Sequence, residues 1–183
     1  MARLRYLDDI ELAEIPLGEH ARTINLYRIL GHSPGMAEAF NTVGRYIRWG
    51  SKLDPRLREL AILQVGYLAR SDYEYSHHVK IGLGFGVTED DIHGMIAETE
   101  GRDSGLEPLA RAACAAAREM TQAYRASDAV YAELAQALPP DQLIDLLVTI
   151  GFYNAVVRIL ASTDMDVEDS YKPYLEKFPL PEK

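Results

Sequence analysis

Cysteine is almost missing from this 183-residue chain; Cys114 is the only one. A disulfide within the chain is therefore excluded, and so is a zinc site built from thiolates. A single thiol fits a reducing compartment. Positive charge is also scarce. Nineteen Lys and Arg stand against 28 Asp and Glu, for a net charge of −9. That removes the basic footprint that nucleic acids and anionic membrane surfaces require of a partner. Long apolar runs are lacking too. The longest uncharged one, "LLVTIGFYNAVV" at 146–157, has 12 residues, whereas a spanning helix needs about 20. It reads as a buried core helix. The N-terminal "MARLRYLDDIELAEIP" carries acids where a secretory signal needs an apolar core, so the expectation is a cytoplasmic protein. There is no glycine-rich phosphate loop, no nucleophile elbow and no short repeat.

What is present is helical periodicity, with no convincing β-alternation. The reading is an all-α bundle of seven or eight helices in one domain, 20–163, between an irregular arm, 1–19, and a charged tail, 164–183. Residues 20–30 form the first helix. Ser33 and Pro34 open the second, which runs to Trp49. Asp54 and Pro55 open the third, ending at Ala69 or Arg70. Ser71 opens the fourth, and Gly86 suits the left-handed position beyond its end. Thr88 and Asp91 suggest a capping box for a helix to Ala97. Further helices cover 106–125, 127–138 and 139–161. The tail is expected to wrap over the surface or over a neighbouring subunit.

The chemistry concentrates in "RSDYEYSHHVKIGLGFGV", 70–87. At about 100° per residue, His78 lies in the apolar stripe with Ile81, Gly82 and Phe85, and Glu74 lies one turn before it. His77 sits at the stripe's edge and is expected to be exposed or at an interface; Ser76 and Lys80 point away. On the preceding helix nearly everything from Leu60 to Ala69 is apolar, so Glu59 faces inward. A buried carboxylate needs a partner or a raised pKa. The antiparallel turn at 70–72 offers His78. Gly66 on the same face lets another backbone come close, at a propensity cost of about 1 kcal/mol. Blander readings stand beside these. Ser71 and Glu74 alone make a good capping box, and a histidine on an apolar face is commonly a satisfied core residue. Glu74-x-x-His77 is half of a di-iron motif, but no second half is found on a suitable helix, so no metal is expected. Cys114, in "RAACAAARE", reads as a buried structural thiol. Tyr67, Tyr153 and Asn154 either line a pocket or satisfy buried backbone.

The stretch "LDPRLRELAILQVGYLARSDYEYSHHVKIGLGFGVTEDDI", 53–92, resembles the carboxymuconolactone decarboxylase family, which includes the AhpD-like alkylhydroperoxidases. "LIDLLVTIGFYNAVVRIL" resembles the family's later helix, and the likeness covers most of 34–162. It implies an AhpD-like helical bundle that assembles as a homo-oligomer, a trimer or hexamer. The AhpD-like branch carries Glu-x11-Cys-x2-Cys-x3-His. Laid on this chain, the ends are Glu59 and His78, while the cysteine positions fall on Ser71 and Glu74. A thiol peroxidase needs a thiolate and a resolving partner, and serine supplies neither. The decarboxylase branch does not use that pair. It implies proton transfer on a small carboxylate or lactone without metal or organic cofactor. His78 is then the general acid, Glu59 its orienting partner and Glu74 a second acid or base. Tyr73 or Tyr75 could donate to an enolate oxygen. By helix geometry rather than by the resemblance, Arg56 or Arg70, on the same side of the helix as Glu59, could bind a carboxylate. A peroxidase-related member without its redox cysteines, and a non-catalytic helical oligomer, remain the alternatives.

Overall fold

The computed structural model describes residues 2–17 and 23–181. Among them are ten helices: α1 (Asp9–Ala13), α2 (Asn25–Leu30), α3 (Pro34–Arg45), α4 (Pro55–Leu68), α5 (Asp72–Gly84), α6 (Glu89–Thr99), α7 (Pro108–Ala123), α8 (Asp128–Ala137), α9 (Pro140–Thr163) and α10 (Lys172–Lys177). A π-helical turn, Tyr46–Gly50, continues α3. The count exceeds the expected seven or eight because the arm and the tail each fold one short helix, α1 and α10. The expected start of the first helix, 20–22, lies outside the described residues.

Helix α4 is the axis of the bundle. It packs against α5, α6, α7 and α9, and every residue from Leu57 to Tyr67 is buried. Successive residues turn to different neighbours. Ala61, Ile62 and Val65 join one apolar cluster with α7 and α9; Leu60, Leu63 and Tyr67 join a second with α5, α6 and Phe178. An all-round apolar sequence is what a helix between two clusters needs. Gly66 permits a close crossing. A Cβ there would sit 3.2 Å from the backbone nitrogen of Tyr75, so α4 and α5 approach backbone to backbone.

The caps follow the sequence. The Asp54 carboxylate accepts from the Leu57 N–H, and Thr88 with Asp91 forms the reciprocal box. Gly86 has φ +93°, and the Val87 N–H bonds back to the Gly82 carbonyl at 2.9 Å, closing α5 in a Schellman turn. Two expectations need correcting. Ser33 precedes α3, but its hydroxyl makes no capping bond. Ser71 accepts from the Glu74 N–H at 3.4 Å, yet its own N–H goes to the Gly66 carbonyl, so the Glu74 carboxylate is free of the cap. Helix α9 follows the expected 139–161, ending two residues later. By length and composition it could cross a membrane, but half of its most apolar window is buried in the bundle. The tail returns over the chain itself: α10 packs on α5, and Phe178 is 1% exposed.

Candidate functional site

The centre is an imidazole between two carboxylates. His78 Nδ1 lies 2.7 Å from Glu59 Oε2, and Nε2 lies 3.0 Å from Glu74 Oε1. All three are buried. Glu59 comes from the first half of α4 and His78 from the middle of α5, as the antiparallel crossing requires. Glu74 stands one turn before His78 on the same helix, within reach by i,i+4 spacing. Arg58 completes the group. Its Nε donates to Glu59 Oε1 at 2.9 Å, and its Nη1 donates to the Arg48 carbonyl of the π-helical turn at 3.2 Å. Burial by itself disfavours both charges. The charge of His78 and its hydrogen bond, with Arg58 behind them, overcome that for Glu59 and hold its pKa below the usual value. The two carboxylates likewise overcome burial and raise the pKa of His78. With both ring nitrogens facing carboxylate oxygens, a protonated imidazole can hold a proton toward each, and the line Glu59–His78–Glu74 can carry one.

Glu74 and His78 form part of the wall of a cavity of about 50 Å³, room for more than one water. Tyr27, Phe40, Trp49, Phe152 and Tyr153 give it an aromatic lining. The edge of Tyr153 meets the His78 ring at 4.9 Å, and burial drives its phenol pKa upward. Arg45 and Arg48 also line the cavity, and neither makes an ion pair among the described residues.

Four of the expected site residues meet here: Glu59, Glu74, His78 and Tyr73. Tyr73 lines the cavity, but its hydroxyl is committed, donating to Glu168 at 3.1 Å and accepting from the Leu26 N–H at 3.1 Å. The other three lie elsewhere. Tyr75 packs beside Tyr67 in the second cluster. Arg56 is bound by Asp91 and Glu107. Arg70 sits exposed at the α4–α5 turn with φ +49°. Ser76, expected to point away, and His77, expected to be exposed or at an interface, are buried within the chain. The reason for His77 is the tail. Its Nδ1–H donates to the Tyr73 carbonyl at 2.7 Å, its ring stacks between Tyr73 and Tyr171, and Nε2 faces Glu168 at 3.1 Å. Sequence reasoning missed Arg45 and Arg48. The one signal was the lack of any acid at 41–52, since Arg48 sits in the π-helical turn, where α-helical spacing does not align it with Arg45.

The sequence model of the carboxymuconolactone decarboxylase family matches residues 34–129. The chain belongs to the carboxymuconolactone decarboxylase family. No curated protein matches it. Solved structures share the family fold at low identity. The debrominase Bmp8, a cysteine-to-alanine variant in complex with 2,3,4-tribromopyrrole, is 17% identical with a TM-score of 0.81, over 97% of this chain and 100% of that one. An AhpD-core, uncharacterized peroxidase-related protein from Ralstonia eutropha JMP134 is 16% identical with a TM-score of 0.69, over 82% and 78%. An uncharacterized peroxidase-related protein from Silicibacter sp. TM1040 is 19% identical with a TM-score of 0.67, over 86% and 83%. In this family member the only cysteine lies outside the cavity wall. Cys114 is fully buried in the second cluster, and burial pushes its pKa up to about 12.

Proposed function

We propose that this family member is an enzyme acting by proton transfer on a small carboxylate or lactone, in the manner of a carboxymuconolactone decarboxylase. The observation that carries the reading is His78 between Glu59 and Glu74 in a cavity also lined by Arg45 and Arg48, neither of which makes an ion pair among the described residues. Both His78 nitrogens are engaged, so Glu74 is the group that meets the substrate and His78 the one that resupplies it. In decarboxylation, the C–C bond to the leaving carboxylate breaks and CO2 departs. The bonding pair stays on carbon as an enolate delocalised into the lactone carbonyl. The Glu74 carboxylate takes the proton of His78 Nε2 and passes it to that carbon, and the neutral imidazole is reprotonated from solvent before the next turnover; Glu59 and Arg58 hold the imidazole in place throughout. Arg48, with Arg45, holds a carboxylate that the substrate retains. Tyr73 is an unsuitable enolate donor because its hydroxyl is occupied.

A second reading, as a binder of small planar rings, is favoured by the six aromatic side chains of the lining and by the fold shared with a debrominase. Chemistry through a thiol of this chain is not supported, because Cys114 is buried and its proton is held tightly.

The deciding experiment incubates the protein in D2O with a panel of carboxy-lactones and small unsaturated carboxylic acids. Carbon dioxide and deuterium incorporation are measured together. The reading requires solvent deuterium on the product carbon. It also requires losses of about 100-fold or more in turnover for Glu74→Gln and His78→Ala, and a raised KM with little change in kcat for Arg48→Met. Turnover untouched by the Glu74 and His78 changes sinks it. Tight binding of bromopyrroles with no turnover of any acid would select the second reading.

A further inference from the structure

Three tyrosines line the cavity, Tyr27, Tyr73 and Tyr153, and their hydroxyls are not alike. Tyr27 donates to Asn41 Oδ1 at 2.6 Å. Tyr73 donates to Glu168 and accepts from the Leu26 N–H. Tyr153 is 6% exposed, yet its hydroxyl makes no hydrogen bond among the described residues. A buried hydroxyl without a partner is costly and calls for an explanation. The Tyr75 hydroxyl is also unpaired, but it is sealed within the second cluster. The Tyr153 oxygen is not sealed, and the space it borders is the cavity.

The fold sets this side chain firmly. Helix α9 packs on α4 and α5, which carry Glu59, Glu74 and His78. Its inward residues Leu146, Ile150, Tyr153 and Val157 fall three or four apart and join the first apolar cluster. The phenol ring stands across His78, centroids 4.9 Å apart at 79°, and across Phe152, 5.7 Å apart at 90°. Burial drives the phenol pKa up; among the charges near it Arg48 acts most strongly, in the opposite sense, followed by Glu74. The hydroxyl therefore keeps its proton, within the field of both the carboxylate-binding arginine and the proton-delivering glutamate.

We infer that the Tyr153 hydroxyl is the catalytic donor to the carbonyl oxygen on which the enolate charge collects. The inference rests on the decarboxylase reading above and fills the role that Tyr73 is too occupied to take. As the C–C bond to the leaving carboxylate breaks, its electron pair is delocalised onto that oxygen, which accepts from the Tyr153 O–H. The O–H bond stays intact, and the proton added to carbon comes through Glu74. A hydrogen bond to an oxyanion is stronger than one to a neutral carbonyl, so it lowers the barrier more than it aids binding. The donor also narrows the substrate class. It serves acids in which the carbon losing carboxylate is joined to a lactone or ketone carbonyl, directly or through a double bond.

Two arms test this on the whole protein. In the first, Tyr153→Phe removes the oxygen and keeps the ring. Over the carboxy-lactone panel, kcat is expected to fall about 100-fold with KM changed by less than about threefold, and the melting temperature should hold. Tyr75→Phe, which removes the sealed hydroxyl, should leave kcat unchanged. The second arm needs no turnover. At pH 8 the probe 5-hydroxy-2-nitrobenzoate carries a phenolate oxygen and a carboxylate on one planar ring. The wild type should bind it about tenfold more tightly than 2-nitrobenzoate, with the phenolate absorption band displaced to shorter wavelength. Tyr153→Phe should lose both the preference and the displacement. If the wild type decarboxylates an acid and Tyr153→Phe does so within about threefold of its kcat, the inference is overturned and the decarboxylase reading stands. If no acid turns over but the phenolate preference depends on Tyr153, the donor is supported and only the reaction falls. A phenolate held equally by wild type and Tyr153→Phe overturns the inference whatever the turnover.

Discussion

Arg58 and Glu59 are consecutive on α4, both are buried to 2% exposure or less, and they bond to each other, Nε to Oε1 at 2.9 Å. Neighbours on a helix point about 100° apart and ordinarily do not meet. Here the Arg58 side chain turns along the helix because Phe85 lies 4.7 Å beneath its guanidinium and the end of the π-helical turn offers its carbonyls. Glu59 thereby serves two cations, Arg58 and His78.

Removing that shared charge should be costly. Glu59→Gln leaves Arg58 and His78 buried without their anion, and a loss of about 3–5 kcal/mol is expected. Urea denaturation reads it directly. A change below 1 kcal/mol would mean that water reaches the group and screens it.

The pH dependence has a definite sign. The folded pKa of His78 is raised, so its contribution is complete below the unfolded value of about 6.5 and is lost as pH rises through the folded value. The folded pKa of Glu59 is lowered, so its contribution is complete above about 4.3 and is lost as pH falls through the folded value. Both are present in full between about pH 4.3 and 6.5. The melting temperature of the wild type should exceed that of His78→Gln most in that window, with the gap narrowing above it. A gap that widens from pH 7 to 9 contradicts the assignment.

Cys114 should be inert. With its pKa near 12 and no exposed surface, it should fail to react with a thiol reagent at pH 8 in the folded protein and react once per chain in guanidinium. Any activity should survive Cys114→Ala. Peroxide turnover that vanishes in this variant would restore a thiol mechanism.

Gly66→Ala should destabilise despite alanine's better helix propensity, worth about 1 kcal/mol. The added methyl meets the Tyr75 backbone at 3.2 Å, and backbone cannot swing aside. A net loss of about 1–2 kcal/mol is expected. Thermal melts of Gly66→Ala and of Gly44→Ala, where a Cβ meets nothing within 4 Å, make the comparison.

Much of this architecture was legible before the structure. Asp54, Thr88 with Asp91, and Gly86 mark element ends by local hydrogen bonding, which sequence spacing encodes. The Glu59–His78 pairing followed from an inward carboxylate, an inward imidazole and a short turn between their helices. What was not legible has a common physical origin in distant parts of the chain. Arg56 pointed the right way on α4, but Asp91 and Glu107 claim it. Tyr75 shares its helix with His78 and is equally buried, and a helix buried all round gives periodicity no face to choose. His77 was placed at the surface or at an interface because Glu168 and Tyr171 cover it from more than ninety residues away. Arg48 escaped notice because it sits in a π-helical turn, where the 3.6-residue rhythm slips.

The carboxylate of Glu168 accepts from the Asn25 N–H and from Tyr73, across 143 and 95 residues of chain. Helix α2, which forms one side of the cavity and has no side-chain cap of its own, thus takes its N-terminal fastening from the tail. In the order of synthesis, that fastening arrives after every helix it secures has been made. Contacts so far apart in sequence add nothing to an early nucleus and lengthen the search for the final state. The cavity should be the last part of the molecule to mature, and in hydrogen exchange α2 should open well before α4 does.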